Sequence, residues 1–101
     1  MDILHVNEEN FDKVINNGTV IADFWAPWCG PCRMLAPVLE ELAEDLPEVR
    51  IIKINTDEEI NLAKRFGLTS IPTLLLFKDG ELVKKTMGYM EKDELKEELG
   101  L

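Results

Sequence analysis

Cysteine and histidine are scarce in this chain of 101 residues, which has two cysteines and one histidine. A structural zinc site needs four ligands, almost always cysteine or histidine side chains. His5 is distant in sequence from the two cysteines, and the three residues together do not complete a ligand set. We therefore expect no metal and no cofactor, and the chemistry of the two thiols becomes the main question.

Long apolar runs and clusters of basic residues are also absent. Crossing a bilayer takes roughly 20 apolar residues, and the net charge of −9 is the opposite of what binding to phosphate backbones requires. We expect no membrane partner and no nucleic-acid partner. Asp2 stands where a secretory signal would carry a basic residue, so we expect a cytoplasmic protein. In that compartment a Cys-x-x-Cys pair is typically catalytic or metal-binding.

The length and the apolar share of 46% predict a single domain over residues 1–101. The apolar pattern predicts strands at residues 3–6, 20–25, 49–55, 73–77 and 82–87. It predicts helices beginning near residue 10, after residue 29, at residue 57 and at residue 91. Asp79-Gly80 between the last two strands is typical of a hairpin turn. This order predicts an α/β fold in which a parallel sheet is extended by an antiparallel pair.

The clearest helical pattern follows Cys29. Apolar residues recur there at helical spacing, at Leu35, Val38, Leu39, Leu42, Ala43 and Leu46. Acidic residues lie opposite this stripe and predict a solvated face, formed by Glu40, Glu41, Glu44 and Asp45. Pro31 falls in the first turn, where its missing N–H has no intrahelical partner to lose.

The two cysteines lie at the start of this helix, in the run Trp28-Cys29-Gly30-Pro31-Cys32. Unpaired N–H groups at a helix N-terminus stabilise a thiolate. Positions i and i+3 share a helix face, close enough for a disulfide. The spacing predicts a redox dithiol in which Cys29 is exposed and more acidic and Cys32 is shielded. A purely structural disulfide is disfavoured because so small a loop removes little chain entropy.

Two charged residues interrupt apolar strand patterns, Asp23 in the second predicted strand and Lys53 in the third. Burying an unpaired charge is unfavourable. If the two strands are neighbours, the two charges can lie close together, which accounts for both. The alternative is that Asp23 marks a bulge or a strand edge and that Lys53 extends to water.

The run Trp28-Cys29-Gly30-Pro31-Cys32 resembles the active-site motif of thioredoxins. Further segments resemble the family in the same order, namely Asp23–Ala26, Arg33–Pro37, Ile71–Thr73 and Phe77–Gly80. The resemblance covers essentially the whole chain. It implies a thioredoxin fold, with a central five-stranded mixed β-sheet flanked by helices on both faces.

The resemblance implies a protein-disulfide reductase that works as a monomer between a thioredoxin reductase and disulfide-containing target proteins. Cys29 would attack the target disulfide and Cys32 would resolve the mixed disulfide, which leaves a redox-active Cys29–Cys32 disulfide. In thioredoxins the residue matching Asp23 takes the proton of the buried cysteine, and the residue matching Lys53 tunes it. Burial would raise the pKa of such a carboxyl.

The resemblance also implies a docking surface for target proteins. Trp28 is expected as an exposed aromatic side chain beside the dithiol. A cis bond between Ile71 and Pro72 would present the Ile71 backbone to an extended substrate; the alternative is an ordinary trans proline at a strand start. Gly88 is expected to be a turn glycine that also lines the substrate groove.

Two other functional classes stay open from the residues alone. One is a non-redox binding subunit or folding helper that uses the apolar surface around Trp28. The other is a disulfide oxidase or isomerase in an oxidising compartment. Gly30-Pro31 between the cysteines, in place of the Gly-His of protein disulfide isomerases, resembles the reducing members and argues against the oxidase. A histidine there would add positive charge and stabilise the thiolate.

Overall fold

The computed structural model describes residues 3–101, which form five strands and four helices. The strands are β1 (Leu4–His5), β2 (Thr19–Trp25), β3 (Val49–Asn55), β4 (Thr73–Lys78) and β5 (Glu81–Met87). The helices are α1 (Phe11–Ile15), α2 (Gly30–Asp45), α3 (Ile60–Arg65) and α4 (Lys92–Leu99). The predicted alternation is confirmed, although β1 is shorter than the predicted strand over residues 3–6.

The strands form one sheet in the order β1-β3-β2-β4-β5. β1, β3 and β2 run parallel, whereas β4 is antiparallel to β2, and β5 is antiparallel to β4. This is the predicted parallel sheet extended by an antiparallel pair. β2 is the central strand of the sheet. The chain therefore leaves the carboxyl end of β2 midway between the two outer strands. α2 begins a few residues later at that same place.

Each face of the sheet has its own apolar cluster, because side chains alternate along a strand. On one face, Ile21 of β2 packs with residues of α2 and α4. On the other face, Val20 and Phe24 of β2 pack with residues of α1 and α3. Asp23 shares the strand parity of Ile21, so this carboxylate lies on the face that α2 covers.

α2 is the longest helix and positions the dithiol. Cys29 is its N-cap and Pro31 lies in its first turn, as predicted. Leu35, Leu39 and Leu42 are buried along its sheet-facing side. Pro37 lies inside the helix, which nevertheless continues to its end. Within the described part of the chain, no helix has the length and apolar character needed to cross a membrane.

The short helix α1 is attached to the sheet by Arg50. The guanidinium donates from Nη2 to the carbonyls of Val14 at 2.7 Å and Asn17 at 2.6 Å, near the end of the helix. Carbonyls at a helix C-terminus lack intrahelical partners, so Arg50 supplies what the helix leaves unsatisfied. A second arginine, Arg65, pairs with Asp12 at 2.8 Å, but both of these side chains are exposed.

This contrast predicts different stability losses for two matched substitutions. Arg50→Met removes two hydrogen bonds from a charged donor and should lower the free energy of unfolding by about 1.5–3 kcal/mol. Arg65→Met removes an exposed ion pair and should cost less than about 1 kcal/mol. Urea denaturation of the two variants beside the parent chain measures both values. Equal losses would contradict the assigned role of Arg50.

Candidate active site

The two cysteines lie at the N-terminus of α2 and are in the oxidised, disulfide form. Cys29 and Cys32 form a disulfide, with their Cα atoms 5.3 Å apart. The backbone N–H of Cys32 donates to Cys29 Sγ at 3.2 Å. The N–H of Arg33 donates to the Cys29 carbonyl, also at 3.2 Å. An unpaired amide of the first helical turn is therefore directed at the Cys29 sulfur, where it would stabilise a thiolate.

Cys29 is as buried as Cys32 in this oxidised form, with residue exposures of 5% and 4%. The prediction of an exposed Cys29 is therefore wrong for the disulfide state. The Cys29 sulfur is bonded to Cys32, and the carbonyl oxygen of Ile71 lies 3.8 Å from it. The two cysteines form a small buried cluster with Ala26, and Ile71 packs against this cluster.

The segment before β4 faces the dithiol with its backbone. The Ile71–Pro72 peptide bond is cis, as the resemblance implied, and the alternative of an ordinary trans proline is wrong. The N–H of Gly88 donates to the Pro72 carbonyl at 2.9 Å, which joins the start of β4 to the end of β5. Gly88 has φ +87°, a conformation that favours glycine, so the turn prediction is confirmed.

Trp28 is 68% exposed, as predicted. Its indole N–H donates to the Asp57 carboxylate at 3.0 Å. Sequence reasoning missed this partner, because it interpreted Asp57 as the start of a capped helix. α3 in fact begins at Ile60, and its N-cap Glu59 makes no side-chain capping bond. Asp57 therefore orients an exposed aromatic side chain next to the dithiol.

Asp23 and Lys53 are paired across adjacent strands, as predicted. Lys53 Nζ lies 4.0 Å from Asp23 Oδ2, and the exposed fractions of the two side chains are 18% and 2%. β2 is paired on both sides through Asp23, so the alternative of a bulge or strand edge is wrong. The Lys53 ammonium also lies 4.5 Å from the centroid of the Trp25 ring.

Burial gives Asp23 unusual proton affinity. Desolvation raises the pKa of its carboxyl from 3.8 to about 7, and the positive charge of Lys53 opposes this rise only in part. Asp23 Oδ1 has no hydrogen-bond partner among the described residues. A carboxyl with a pKa near neutrality both accepts and releases a proton readily at physiological pH.

Comparison with known proteins distinguishes the reductase from the two alternative functional classes. The family model described as Thioredoxin matches residues 2–100. This chain belongs to the thioredoxin family. It is 47% identical over 98 residues to the thioredoxin of Bacillus subtilis (strain 168), which covers 96% of this chain and 94% of the relative. It is 50% identical over 100 residues to the thioredoxin of Staphylococcus haemolyticus (strain JCSC1435), with coverage of 98% and 96%.

Solved structures agree with the family assignment. A chain from work on the thiol resolving mechanism in yeast mitochondrial 1-Cys peroxiredoxin via glutathione/thioredoxin systems superposes with a TM-score of 0.89. It is 35% identical in sequence, and the match covers 99% of this chain and 96% of that chain. The thioredoxin fold is confirmed. With a Cys29–Cys32 disulfide, the chain is a thiol-disulfide oxidoreductase, a protein-disulfide reductase, and the non-redox and oxidase alternatives are not favoured.

The raised pKa of Asp23 predicts how stability depends on pH. The folded carboxyl holds its proton up to about pH 7, whereas the unfolded one releases it near pH 3.9. Between these values the folded state binds more protons, so the free energy of unfolding falls as pH rises. Asp23→Asn removes this pH-dependent loss, so the variant should be more stable than the parent chain above about pH 5. The gain in stability should be about 2–3 kcal/mol larger at about pH 8 than at about pH 5, measured by urea denaturation of the oxidised protein. A gain independent of pH would contradict the assignment.

Proposed function

We propose that Cys29 is the attacking thiol and Cys32 the resolving thiol of this reductase. The amide that the α2 N-terminus directs at Cys29 Sγ, at 3.2 Å, is the observation that carries the assignment. That amide and the positive end of the helix dipole both stabilise a thiolate at Cys29. No equivalent bond to the Cys32 sulfur is present among residues 3–101.

The reaction transfers two electrons from the dithiol to the target. The Cys29 thiolate attacks one sulfur of the target disulfide, and the other target sulfur leaves as a thiolate. Cys32 then loses its proton and attacks the Cys29 sulfur. The second target thiolate leaves, the target is reduced, and the Cys29–Cys32 disulfide is formed.

Asp23 is the base that takes the proton from Cys32, and Lys53 tunes its proton affinity. Asp23 lies on the sheet face that α2 covers, and its pKa of about 7 suits a base at neutral pH. Lys53 Nζ at 4.0 Å limits the rise in that pKa. The polar atom without a partner, Asp23 Oδ1, supports a role in proton transfer over a role in holding the fold together.

Target proteins dock on the surface formed by Trp28, Ile71, Pro72 and Gly88, next to the Gly30-Pro31 link of the dithiol. The Ile71 carbonyl, 3.8 Å from Cys29 Sγ, offers a backbone acceptor to an extended segment that carries the target disulfide. Trp28 contributes an exposed aromatic face. A Cβ added at Gly88 would meet no atom within 4 Å, so the glycine leaves open space beside the segment.

The protein acts as a cytoplasmic monomer, and a thioredoxin reductase returns its disulfide to the dithiol. The bacterial thioredoxins that match along nearly the whole chain support this cycle. Reduction of the disulfide by the reductase restores the Cys29 thiolate for the next target.

Cysteine substitutions test the assignment of the two thiols. Cys32→Ser should keep the first attack and accumulate a mixed disulfide, whereas Cys29→Ser should form none. Both variants should lose turnover in an insulin reduction assay coupled to thioredoxin reductase. Mass spectrometry of the trapped species identifies the cysteine that holds the target. A mixed disulfide through Cys32 in the Cys29→Ser variant would contradict the assignment.

Asp23→Asn tests the proton transfer. The rate at which the mixed disulfide is resolved should rise with pH through about 7 in the parent chain, because only the ionised carboxylate accepts a proton. In the variant this inflection should disappear and the rate at about pH 7.5 should fall at least about tenfold, since general-base catalysis contributes about 10²-fold or more. Stopped-flow measurement of target release gives the profile. An unchanged profile would remove Asp23 from the mechanism.

A further inference from the structure

Asp23 stands at the inner end of a polar row that crosses the sheet. It lies opposite Lys53 in the pairing of β2 with β3, and Lys53 lies opposite His5 in the pairing of β3 with β1. Residues paired in this way point to the same face, on strands about 4.8 Å apart. Asp23 is 1% exposed, Lys53 is partly exposed and His5 is exposed. The row therefore leads from the buried carboxyl to the edge of the sheet.

A cavity of about 450 Å³ opens where this row reaches the surface, between β1, β3 and α2. Its polar lining residues are His5, Glu40, Glu44 and Lys53. Glu40 and Glu44 are one helical turn apart and so share one side of α2. The sequence predicted that they belong to a solvated face, and both side chains are exposed. They also line a cavity that Lys53 borders.

The other acidic residues of α2 have different partners. Asp45 pairs with Lys92 at 2.8 Å and with Lys96 at 3.0 Å, both on α4. Glu41 also acts on the Lys92 ammonium, because its negative charge contributes to raising the pKa of Lys92. The acidic side of α2 is therefore divided: one pair of carboxylates faces α4, and the other pair faces the cavity.

Lys53 is placed between these charges. Its ammonium lies 4.0 Å from the buried Asp23 carboxylate on one side, and the same residue lines the cavity on the other. Within residues 3–101, Asp23 is the one carboxylate that approaches this ammonium to 4.0 Å. The flexible lysine stem allows the charge to move between Asp23 and the cavity. Carboxylates across the cavity therefore compete with Asp23 for one positive charge.

We propose that Glu40 and Glu44 are positioning residues for the resolving step, which attract the Lys53 ammonium towards the cavity and so strengthen the hold of Asp23 on a proton. The inference rests on the proposed role of Asp23 as base. Less positive charge at Asp23 favours its protonated form, and the two negative charges add to this effect directly.

Other titratable groups lie near Asp23 and Lys53 and contribute to the balance of charge around them. His5 on β1 lines the cavity next to Lys53. Glu58 and Glu59, after β3, line a second cavity that His5 and Lys53 also border. Glu59 is already engaged, because its Oε1 accepts the N–H of Glu8 at 3.0 Å. Cys32, on the first turn of α2, is the group whose proton Asp23 would take.

NMR titration of the Asp23 carboxyl carbon in the oxidised protein tests the proposal without an activity assay. Glu40→Gln and Glu44→Gln should each lower the Asp23 midpoint by about a few tenths of a pH unit, and the double variant by more. Glu41→Gln is the matched control, with the same change of charge on the same helix but facing α4. It should leave the midpoint in place. The pH inflection of mixed-disulfide resolution should move with the NMR midpoint.

A Lys53→Met background tests whether the glutamates act through the lysine. There the shift caused by the double Glu40→Gln and Glu44→Gln change should shrink by at least half. Three results would each overturn the proposal: no shift, an equal shift in Glu41→Gln, or a shift undiminished in Lys53→Met. If Asp23→Asn instead keeps the parent pH profile while the NMR midpoint still responds to the glutamates, the role of Asp23 as base fails and the electrostatic coupling stands.

Discussion

The hydrogen bond from the Cys32 amide to the Cys29 sulfur determines where the other parts of the site must lie. A helix N-terminus leaves amides without intrahelical partners, and the Cys29 side chain is the N-cap acceptor for one of them. The bond requires α2 to begin immediately after Cys29, beside the carboxyl end of the central strand β2. Ligand and substrate sites of open α/β sheets occur at this edge. The cap of the helix and the reactive sulfur are therefore one group, and any change that shifts the helix start displaces the chemistry.

The same packing produces the buried base. α2 has to lie across the sheet in order to bury its apolar stripe, and the face that it covers carries Asp23 as well as Ile21. Desolvation by that packing raises the pKa of Asp23, and it makes the ionised state costly for the fold. Lys53, in register on β3, limits the cost without removing it. Stability at neutral pH and readiness to take a proton therefore oppose each other at one residue.

Local patterns made most of the fold predictable. The two-residue hairpin at Asp79-Gly80 has positive φ at both positions, the backbone that this dipeptide favours. The pairing of Asp23 with Lys53 followed from two charges in apolar strands. The contact between Trp28 and Asp57 did not, because it joins a residue at the start of one helix to a loop 29 positions away. The burial of Cys29 was missed for a related reason, since it depends on the distant Ile71 carbonyl.

The acidic side of α2 shows a further limit of periodicity. Four carboxylates on consecutive turns give one pattern in the sequence, and the pattern correctly separates them from the buried stripe. Residues one position apart on a helix point in directions about 100° apart, so Glu40 and Glu41 face different neighbours. α4 supplies Lys92 near Glu41, and β3 supplies Lys53, which lines the same cavity as Glu40. Their electrostatic roles differ because different elements lie opposite them, which is a property of the tertiary packing and not of the helix.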